Sequence, residues 1–346
     1  MVAPIRKPVR RSAAWLLAPL LWLGVGGLAL ANGAALLARL DPVCELFAHF
    51  PAQYFVGGAA LAAMALLLRR YLALAIALGL ALANLATIWP YVVAAPPAVA
   101  ADGPALKLAV ANLRGQNADA AALRAFLAGI DADLVVLTEL AGQQTPAYDA
   151  VRERFPERLY TPGPRHQPFA LLVLARGKLQ GAILHYPYGV DFPIAEWRSC
   201  AGPSPATQEQ SCVTILALHP PYPGPEFHGL RDRLIGFAAQ RLRRAALAGE
   251  HAIVMGDLNT TPWSPAFDLL TGLGLRDSGL GRGWRPTWPA ALGVAGIPID
   301  HVVVSPRLEV RSHALGPDLG SDHRPLLVEL RLPAASGASP TRPPPR

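Results

Sequence analysis

The chain has 346 residues and a net charge of +7, with 52% hydrophobic and only 16% charged residues. About a quarter of the residues in a typical soluble domain are charged, so this composition excludes a chain built only from such domains. The shortage of charge lies between Ala13 and Ala95, whereas the sequence from Leu106 onward is typical of an α/β protein. The positive charge does not by itself indicate nucleic-acid binding, because four basic residues lie in the N-terminal tail, namely Arg6, Lys7, Arg10 and Arg11.

The apolar region after the basic tail (residues 1–12) contains three apolar stretches, at residues 13–38, 46–68 and 71–93. About 20 consecutive apolar residues are long enough to cross the hydrocarbon core of a bilayer. A helix that covers the core of a soluble protein shows a polar face to water, and none of the three stretches has such a face. We therefore predict three transmembrane helices within residues 13–95.

The orientation of these helices follows from the basic residues, which collect on the cytoplasmic side of membrane proteins. Basic residues precede the first stretch, and Arg69 and Arg70 separate the second from the third. The loop between the first two stretches carries Asp41 and Glu45 instead. An odd number of spans then predicts a multi-pass protein of the cell inner membrane whose region after about Val93 is extracytoplasmic (periplasmic).

The chain has three cysteines, two of which lie close together in sequence. Cys200 and Cys212 flank a segment rich in proline and serine, and in an oxidising compartment they can form a disulfide. Two free thiols are the alternative. A zinc site is less favoured, because no second Cys/His pair stands at ligand spacing. Cys44 has no evident partner in the sequence.

The remainder of the chain is divided into a linker (96–104), a folded domain (105–333) and a Pro/Ser/Ala-rich tail (334–346) that we expect to be disordered. Two helical patterns occur in the domain, at residues 119–130 and 230–247. Near-continuous apolar runs predict buried strands at residues 106–113, 133–140, 169–176, 212–220, 251–259, 300–305 and 325–332. Such strands, interspersed with helices, indicate stacked sheets covered by helices.

Polar side chains stand at the ends of six of these strands. One carboxylate at a strand end means little, but a repeated pattern predicts that carboxylate, amide and imidazole groups converge on one edge of the sheets. Crowded carboxylates repel one another unless a cation neutralises them, which indicates a hard metal with oxygen ligands. The residues in this pattern are Asn112, Glu139, His219, Asp257, Asn259, Asp300, Asp322 and His323.

The segments around these residues resemble the endonuclease/exonuclease/phosphatase (DNase I-like) superfamily, including its membrane-anchored bacterial type. The matching segments follow the superfamily's order over residues 106–332, and they read ANL, LTEL, LHPPYP, GDLNTTPWSP, IDHVVVS and GSDHRPLLVEL. The resemblance implies an α/β (α+β) fold, a four-layer sandwich of two β-sheets flanked by helices. It also implies a metal-dependent phosphoric ester hydrolase, such as a phosphodiesterase, phosphatase or nuclease.

The resemblance further implies a metal site. Glu139 and Asp322 would hold Mg²⁺, or Mn²⁺, with Asn112 beside the ion. The sequence departs from the apurinic endonucleases at Arg114, where those enzymes typically carry an acidic residue that helps to hold the metal. A cation cannot act as a ligand, so metal binding should depend more strongly on the other three residues.

By the same resemblance, five residues carry the chemistry. Asp257 would orient or deprotonate the attacking water, and Asn259 would donate a hydrogen bond to the phosphate. His323 would contact the phosphoryl oxygens while Asp300 fixes its ring and raises its basicity. His219 would stabilise the transition state or protonate the leaving group.

Three functions remain open from the sequence. The first is hydrolysis of a lipid-linked phosphate or pyrophosphate, in which loop tryptophans dip into the bilayer interface or else simply pack; these are Trp263, Trp284 and Trp288. The second is an extracytoplasmic nuclease, weakly favoured by a basic stretch at Arg241, Arg243 and Arg244. The third is a non-catalytic membrane binding module, which the intact acidic and histidine set argues against.

The expected partners are therefore a phosphate-ester substrate, lipid-linked or nucleic acid, and the bilayer, with no obligate protein partner. Several further polar residues show no pattern that marks them as functional. We expect His166, His228 and His301 to be ordinary polar residues, and Arg324 to face either substrate phosphate or solvent.

Overall fold

The computed structural model describes residues 14–93, 103–115, 118–161, 170–203, 210–227 and 229–333. The chain forms two compact units, Met1–Trp89 and Pro90–Arg346. The predicted basic tail, the predicted C-terminal tail and most of the predicted linker lie outside the described residues, as do His166 and His228.

The first unit is helical. Its helices are α1 (Ala14–Leu36), α2 (Pro42–Leu46), α3 (Pro51–Leu67) and α4 (Tyr71–Val92), the last of which crosses the boundary between the units. Residues Leu17–Leu36 of α1 and the whole of α4 are long and apolar enough to cross a membrane. Within the described residues there are therefore two such helices, or three if the bent pair of α2 and α3 counts as one span.

The structure divides the second predicted apolar stretch, residues 46–68, into two pieces. A 3-10 turn at Phe47–His49 follows α2, and α3 then starts at Pro51 with a bend of 66° between the two pieces. Proline has no backbone N–H and is favoured in the first turn of a helix, which agrees with Pro51 as the first residue of α3. An apolar run alone did not reveal this break.

The helices of the first unit pack through small residues. Leu21 and Val25 of α1 lie in one buried cluster with Ala62, Ala65 and Ala73. Small side chains allow close approach of helix backbones, which is the usual way in which helices pack in a membrane. A side-chain hydrogen bond of 2.7 Å from Asn84 to Asn32 also joins α4 to α1.

The second unit contains two six-stranded sheets. The strands of the first sheet are β1 (Ala105–Asn112), β2 (Leu134–Thr138), β3 (Glu157–Tyr160), β4 (Leu171–Ala175), β11 (Glu309–Leu315) and β12 (Leu326–Arg331). Their order is β11-β12-β1-β2-β4-β3. The strands of the second sheet are β5 (Gln180–His185), β6 (Ile194–Pro203), β7 (Gln210–Leu218), β8 (His251–Asp257), β9 (Arg276–Asp277) and β10 (Asp300–Val304). Their order is β5-β6-β7-β8-β10-β9.

Helices cover the outer face of each sheet and complete four layers. They are α5 (Ala120–Gly129), α6 (Thr145–Asp149), α7 (Leu230–Leu247) and α8 (Asp268–Thr271). The inner faces of the two sheets share one apolar cluster, which includes Val110 and Ile253. Leu123 of α5 lies in a second cluster behind the first sheet, and Leu234 of α7 in a third behind the second sheet. The predicted four-layer sandwich is confirmed.

Most predicted elements occur within a few residues of their expected bounds, and α7 matches its prediction fully. Five strands were not predicted, namely β3, β5, β6, β9 and β11. β3 and β5 lie at sheet edges, and their side chains are mostly exposed or half-buried. β11 begins buried and then alternates towards solvent. Strands with one solvent-exposed face lack the continuous apolar run from which the central strands were predicted.

The strand directions bring the polar strand ends to one edge of the sandwich. β1 is parallel to β2, and β7 is parallel to β8, so within each pair both carboxyl ends point the same way. β10 is antiparallel to β8, and its first residue, Asp300, lies directly opposite Asp257. The segment that precedes β12, antiparallel to β1, returns to the same edge.

Candidate active site at the rim of the two sheets

Asp257, the last residue of β8, lies at the centre of this rim and is 1% exposed. Its Oδ2 atom accepts a hydrogen bond of 2.9 Å from the Asn112 side chain at the end of β1. Its Oδ1 atom accepts one of 2.8 Å from the backbone N–H of Asn259. The two sheets are therefore joined at the rim through one buried carboxylate.

Glu139 follows β2 directly and shares the Asn112 amide, which donates to its Oε1 atom at 2.9 Å. Its φ of +52° is uncommon for a residue with a side chain, and such backbone strain collects at functional sites. Burial alone would raise the pKa of Glu139, but the neighbouring His219 and the Asn112 amide outweigh burial and hold that pKa below its usual value. This carboxylate is therefore ionised.

His219 follows β7 and lies between two carboxylates. Its Nε2 atom is 3.2 Å from Glu139 Oε1, and its Nδ1 atom is 3.2 Å from the carbonyl oxygen of Asp257. Burial lowers the pKa of this imidazole, yet the hydrogen bond to Glu139 and the charge of Asp257 raise it overall. Ligand-type atoms of the three residues lie within 4.8 Å of one another.

Asp300 and His323 form a second buried pair. The Oδ2 atom of Asp300 is 2.9 Å from Nδ1 of His323, and Nε2 of the same ring is 3.7 Å from Oδ2 of Asp257. Burial lowers the pKa of His323, but the two carboxylates outweigh it and raise the pKa to about 9. Ser321 fixes the backbone that carries this ring, because its Oγ atom accepts from the backbone N–H of His323 and donates to the carbonyl of Asn112.

The two aspartates that face each other across β8 and β10 affect one another. Burial and the charge of Asp300 raise the pKa of Asp257, and His323 and His219 only partly offset this. A carboxylate with a raised pKa is a stronger proton acceptor than an ordinary aspartate.

Asp322 lies beside this group but is not part of either cluster of mutually close carboxylate and imidazole atoms. Its Oδ2 atom accepts a hydrogen bond of 3.1 Å from the Trp288 indole and lies 3.4 Å from the guanidinium of Arg114. The residue at which the sequence departs from the apurinic endonucleases is thus in contact with a predicted metal ligand.

Asn259 shows a contact that the sequence did not predict. Its side-chain amide donates a hydrogen bond of 3.0 Å to the carbonyl of Pro220, so it ties the loop after β8 to the loop after β7. Its φ of +48° is again left-handed. Its predicted hydrogen bond to phosphate stays a prediction.

His301, which we expected to be an ordinary polar residue, is buried behind the rim. Its Nδ1 atom is 3.2 Å from Oδ2 of Asp277, and its Nε2 atom is 2.9 Å from the carbonyl of Thr260, in the loop after β8. Burial lowers the pKa of His301, but Asp277 outweighs burial and raises it. The only signal in the sequence was a second polar residue at the start of an otherwise apolar strand.

The tryptophans and arginines of uncertain role also have defined positions. Trp263 and Trp284 stack on each other with ring centres 5.8 Å apart, which agrees with the packing alternative. Arg241 is paired with Glu196 at 2.7 Å, and Arg324 donates to the carbonyl of Gly316. None of these contacts involves the rim.

The rim has the composition that a hard divalent cation requires. Its carboxylates are backed by amide and imidazole groups, and two of their oxygens are buried without a hydrogen-bond partner among the described residues, namely Oδ1 of Asp300 and Oδ1 of Asp322. Buried carboxylate oxygens without donors are costly unless a cation compensates them. The residues present therefore fit a metal ion.

Known proteins share this architecture. A structure of an endonuclease/exonuclease/phosphatase from Bacteroides vulgatus aligns with 18% identity and a TM-score of 0.53, over 66% of this chain and 99% of that one. A structure of an endonuclease/exonuclease/phosphatase family protein from Bacteroides thetaiotaomicron aligns with 16% identity and a TM-score of 0.51, over 70% of this chain and 100% of that one. A structure of TDP2 from Caenorhabditis elegans aligns with 14% identity and a TM-score of 0.53, over 87% of this chain and 92% of that one. These likenesses show the fold, and no curated protein matches the sequence.

The sequence itself carries the family pattern. The profile described as the Endonuclease/Exonuclease/phosphatase family matches residues 109–323, which is more than half of the chain and includes every rim residue from Asn112 to His323. With the buried carboxylates and imidazoles of the rim in place, the chain belongs to the Endonuclease/Exonuclease/phosphatase family and is a metal-dependent phosphoester hydrolase.

Proposed function

We propose that this protein is a membrane-anchored phosphoesterase that hydrolyses a lipid-linked phosphate or pyrophosphate at the extracytoplasmic face of the inner membrane. The observation that carries this proposal is the presence, in one chain, of a phosphoesterase rim and of helices apolar enough to cross a membrane. An enzyme held at a bilayer meets phosphates of the lipid surface at high local concentration.

Glu139 and Asp322 would hold the ion, with Asn112 beside them, and Mg²⁺ is the expected metal with Mn²⁺ as a substitute. The ion would neutralise charge on the non-bridging phosphate oxygens and on the leaving oxygen. The depressed pKa of Glu139 keeps this ligand ionised at neutral pH. Arg114 adds a fixed positive charge next to Asp322.

Asp257 would accept the proton of the attacking water. Its raised pKa suits it to this task, and Asn112 and the backbone of Asn259 hold both of its oxygens in place. His323, with a pKa of about 9, is protonated at neutral pH and would donate a hydrogen bond to a phosphoryl oxygen. Asp300 orients that ring.

His219 would donate a proton to the leaving oxygen. Burial lowers the pKa of His219, but Glu139 and Asp257 outweigh burial and raise it above its ordinary value, which favours the protonated ring. Glu139 and the Asp257 carbonyl fix its two nitrogens. Asn259 would donate a hydrogen bond to the phosphate. Its hydrogen bond to the carbonyl of Pro220 also supports a second role, in which it holds the loop that carries His219.

The extracytoplasmic location rests on two features. The basic residues predict that the N-terminal tail is cytoplasmic. In addition, Cys200 and Cys212 are joined as a disulfide between directly paired residues of β6 and β7, as one of the two alternatives predicted. Disulfides persist in the periplasm and are rare in the cytosol, so the bond supports an oxidising compartment.

The experiment that tests this function is a substrate panel with the full chain in proteoliposomes. A polyprenyl pyrophosphate, a phospholipid and plasmid DNA would each be offered with Mg²⁺ and with EDTA, and Asp257→Asn would serve as the inactive control. We expect phosphate release from the lipid substrate only with Mg²⁺. Cleavage of DNA with no hydrolysis of either lipid would refute the proposal in favour of a nuclease.

A further inference from the structure

A short apolar loop stands next to the rim and faces solvent. Ala290–Ala295, referred to here as the apolar loop, has the sequence AALGVA and contains no polar side chain. Leu292 is 58% exposed and Val294 is 83% exposed. Two aliphatic side chains at such exposure on one six-residue loop are unfavourable in water, and they call for a partner.

The loop is fixed by hydrogen bonds, so this exposure is a property of its conformation. At its base, Trp288 and Ile297 pair through their backbones, with the Ile297 N–H donating to the Trp288 carbonyl at 2.6 Å. The Trp284 indole donates to the carbonyl of Val294 at 2.9 Å. The tryptophans thus hold the loop from inside, while its aliphatic residues are exposed.

The apolar loop is also joined directly to the rim. The backbone N–H of Ala290 donates to the carbonyl of Asp322 at 2.6 Å, and the Trp288 indole binds the side chain of the same residue. One residue thus carries a predicted metal-binding carboxylate and anchors the base of the loop. Whatever covers the exposed loop therefore lies beside the phosphate site.

The charges of the segment that carries the loop favour one kind of partner. No acidic residue occurs between Asp277 and Asp300, and the only charged residues in that stretch are Arg282 and Arg285. Arg285 is exposed at the base of the loop, where it donates to the carbonyl of Trp284. Arg282 is half-buried and donates to the carbonyls of Val310 and Arg311, so Arg285 is the arginine available to a partner. Exposed aliphatic residues next to an exposed arginine are typical of surfaces that enter the interface of an anionic bilayer.

The same chain supplies the means to reach such a surface. Twelve residues, 93–104, join α4 to β1, and α1 and α4 are long and apolar enough to lie in a membrane. If the helices cross a membrane, a connection of twelve residues limits how far the domain can lie from that bilayer. A lipid surface is therefore always within reach, whereas a protein partner would have to be recruited.

We propose that Leu292 and Val294 insert into the lipid bilayer to which the chain is anchored, with Arg285 at the headgroups. This inference rests on the membrane anchoring in the proposed function and deepens it. With the loop inserted, the rim faces phosphates at the depth of the headgroups. The substrate class is then a phosphoester that stays in the leaflet during hydrolysis.

The insertion is tested with the full chain in liposomes that contain anionic lipid. Cys44→Ser removes the free thiol, and an environment-sensitive nitrobenzoxadiazole probe is then attached at Leu292→Cys or Val294→Cys. The matched control is Lys178→Cys, which is exposed just after β4, at the end of the sheet opposite the rim. We expect nitroxide-labelled lipid to quench most of the fluorescence at 292 and 294 and little at 178.

Equal quenching at all three positions would overturn the proposal, and so would a shielded probe that lipid does not quench, because that would assign the loop to a protein contact.

A second measurement uses the double variant Leu292→Asp with Val294→Asp. We expect about a tenfold higher KM for a phosphoester in vesicles and an unchanged rate with soluble bis(p-nitrophenyl) phosphate. An unchanged KM in vesicles would also contradict insertion. If the wild-type protein hydrolysed neither substrate, the proposed function would fail, while the quenching would still decide on insertion.

Discussion

Replacing Asp300 by asparagine should make the activity sensitive to alkaline pH. The carboxylate lies 2.9 Å from Nδ1 of His323 and helps to raise the pKa of that ring to about 9. The ordinary value is 6.5, and the difference of about 2.5 corresponds to about 3.4 kcal/mol in favour of the imidazolium. Asparagine keeps the shape of the side chain but removes this charge.

The loss of protonated ring gives the expected size of the effect. If the pKa returned to 6.5 in Asp300→Asn, the protonated fraction of His323 would fall by about fourfold at pH 7 and about thirtyfold at pH 8. The fall in hydrolysis rate at alkaline pH should therefore begin near neutrality in the variant and not near pH 9. The wild-type rate should stay nearly constant between pH 7 and pH 8.

The assay is a pH profile of hydrolysis for the full chain at saturating Mg²⁺. Asp131→Asn provides a matched control, since Asp131 is exposed and pairs with Lys107, before β2 and away from the rim. The double variant Asp300→Asn with His323→Ala should be slower than His323→Ala alone only by the smaller effect of Asp300 on Asp257, because Asp300 acts mainly through one imidazole. A double variant that falls by the product of the two single effects, or an unchanged profile in Asp300→Asn, would refute this reasoning.

Three further predictions concern stability and topology. Gly256→Ala would place a Cβ atom 2.0 Å from the Leu218 carbonyl oxygen at a φ of +144°. We expect it to lower the free energy of unfolding by at least about 3 kcal/mol and the Tm by about 6–12 °C. Gly236→Ala, where the added Cβ atom meets open space, should not lower the Tm. The ion pair of His301 and Asp277 stabilises the fold most between about pH 4 and pH 6.5. The pKa of His301 is raised in the folded state, so its contribution to stability is lost as the pH rises through that pKa. The pKa of Asp277 is lowered in the folded state, so its contribution to stability is lost as the pH falls through that pKa. The Tm of His301→Gln should therefore fall less than the wild-type Tm between pH 7 and pH 9, and a parallel decline would contradict this. Finally, a C-terminal alkaline phosphatase fusion should be active and a green fluorescent protein fusion dark, and the reverse result would overturn the predicted orientation.

The central strands and the rim could be predicted because both leave strong local patterns. β1, β2, β7 and β8 are buried on both faces, so they appear as apolar runs, and a polar residue just beyond such a run marks the sheet edge. Asn112, Glu139, His219 and Asp257 were found in this way, and the structure brings all four together.

Other features depend on contacts that no local pattern records. The bond between Asp277 and His301 joins strands 24 residues apart, and each residue alone is an unremarkable polar position. The contact of Arg114 with Asp322 likewise depends on a left-handed backbone at the end of β1. The exposure of Leu292 and Val294 could not be foreseen either, because an aliphatic residue in a sequence is expected to be buried.

The measurement that most directly tests metal-dependent hydrolysis at this rim combines calorimetric Mg²⁺ titration with activity, using EDTA-treated full chain in nanodiscs. Wild type, Glu139→Gln and Asp257→Asn would be compared. We expect no hydrolysis without metal, more than about tenfold weaker Mg²⁺ binding in Glu139→Gln, and near-normal binding with a rate lower by about 10²–10³ in Asp257→Asn. Full activity of the EDTA-treated protein, or a Glu139→Gln variant that binds Mg²⁺ as tightly as wild type, would contradict the proposed site.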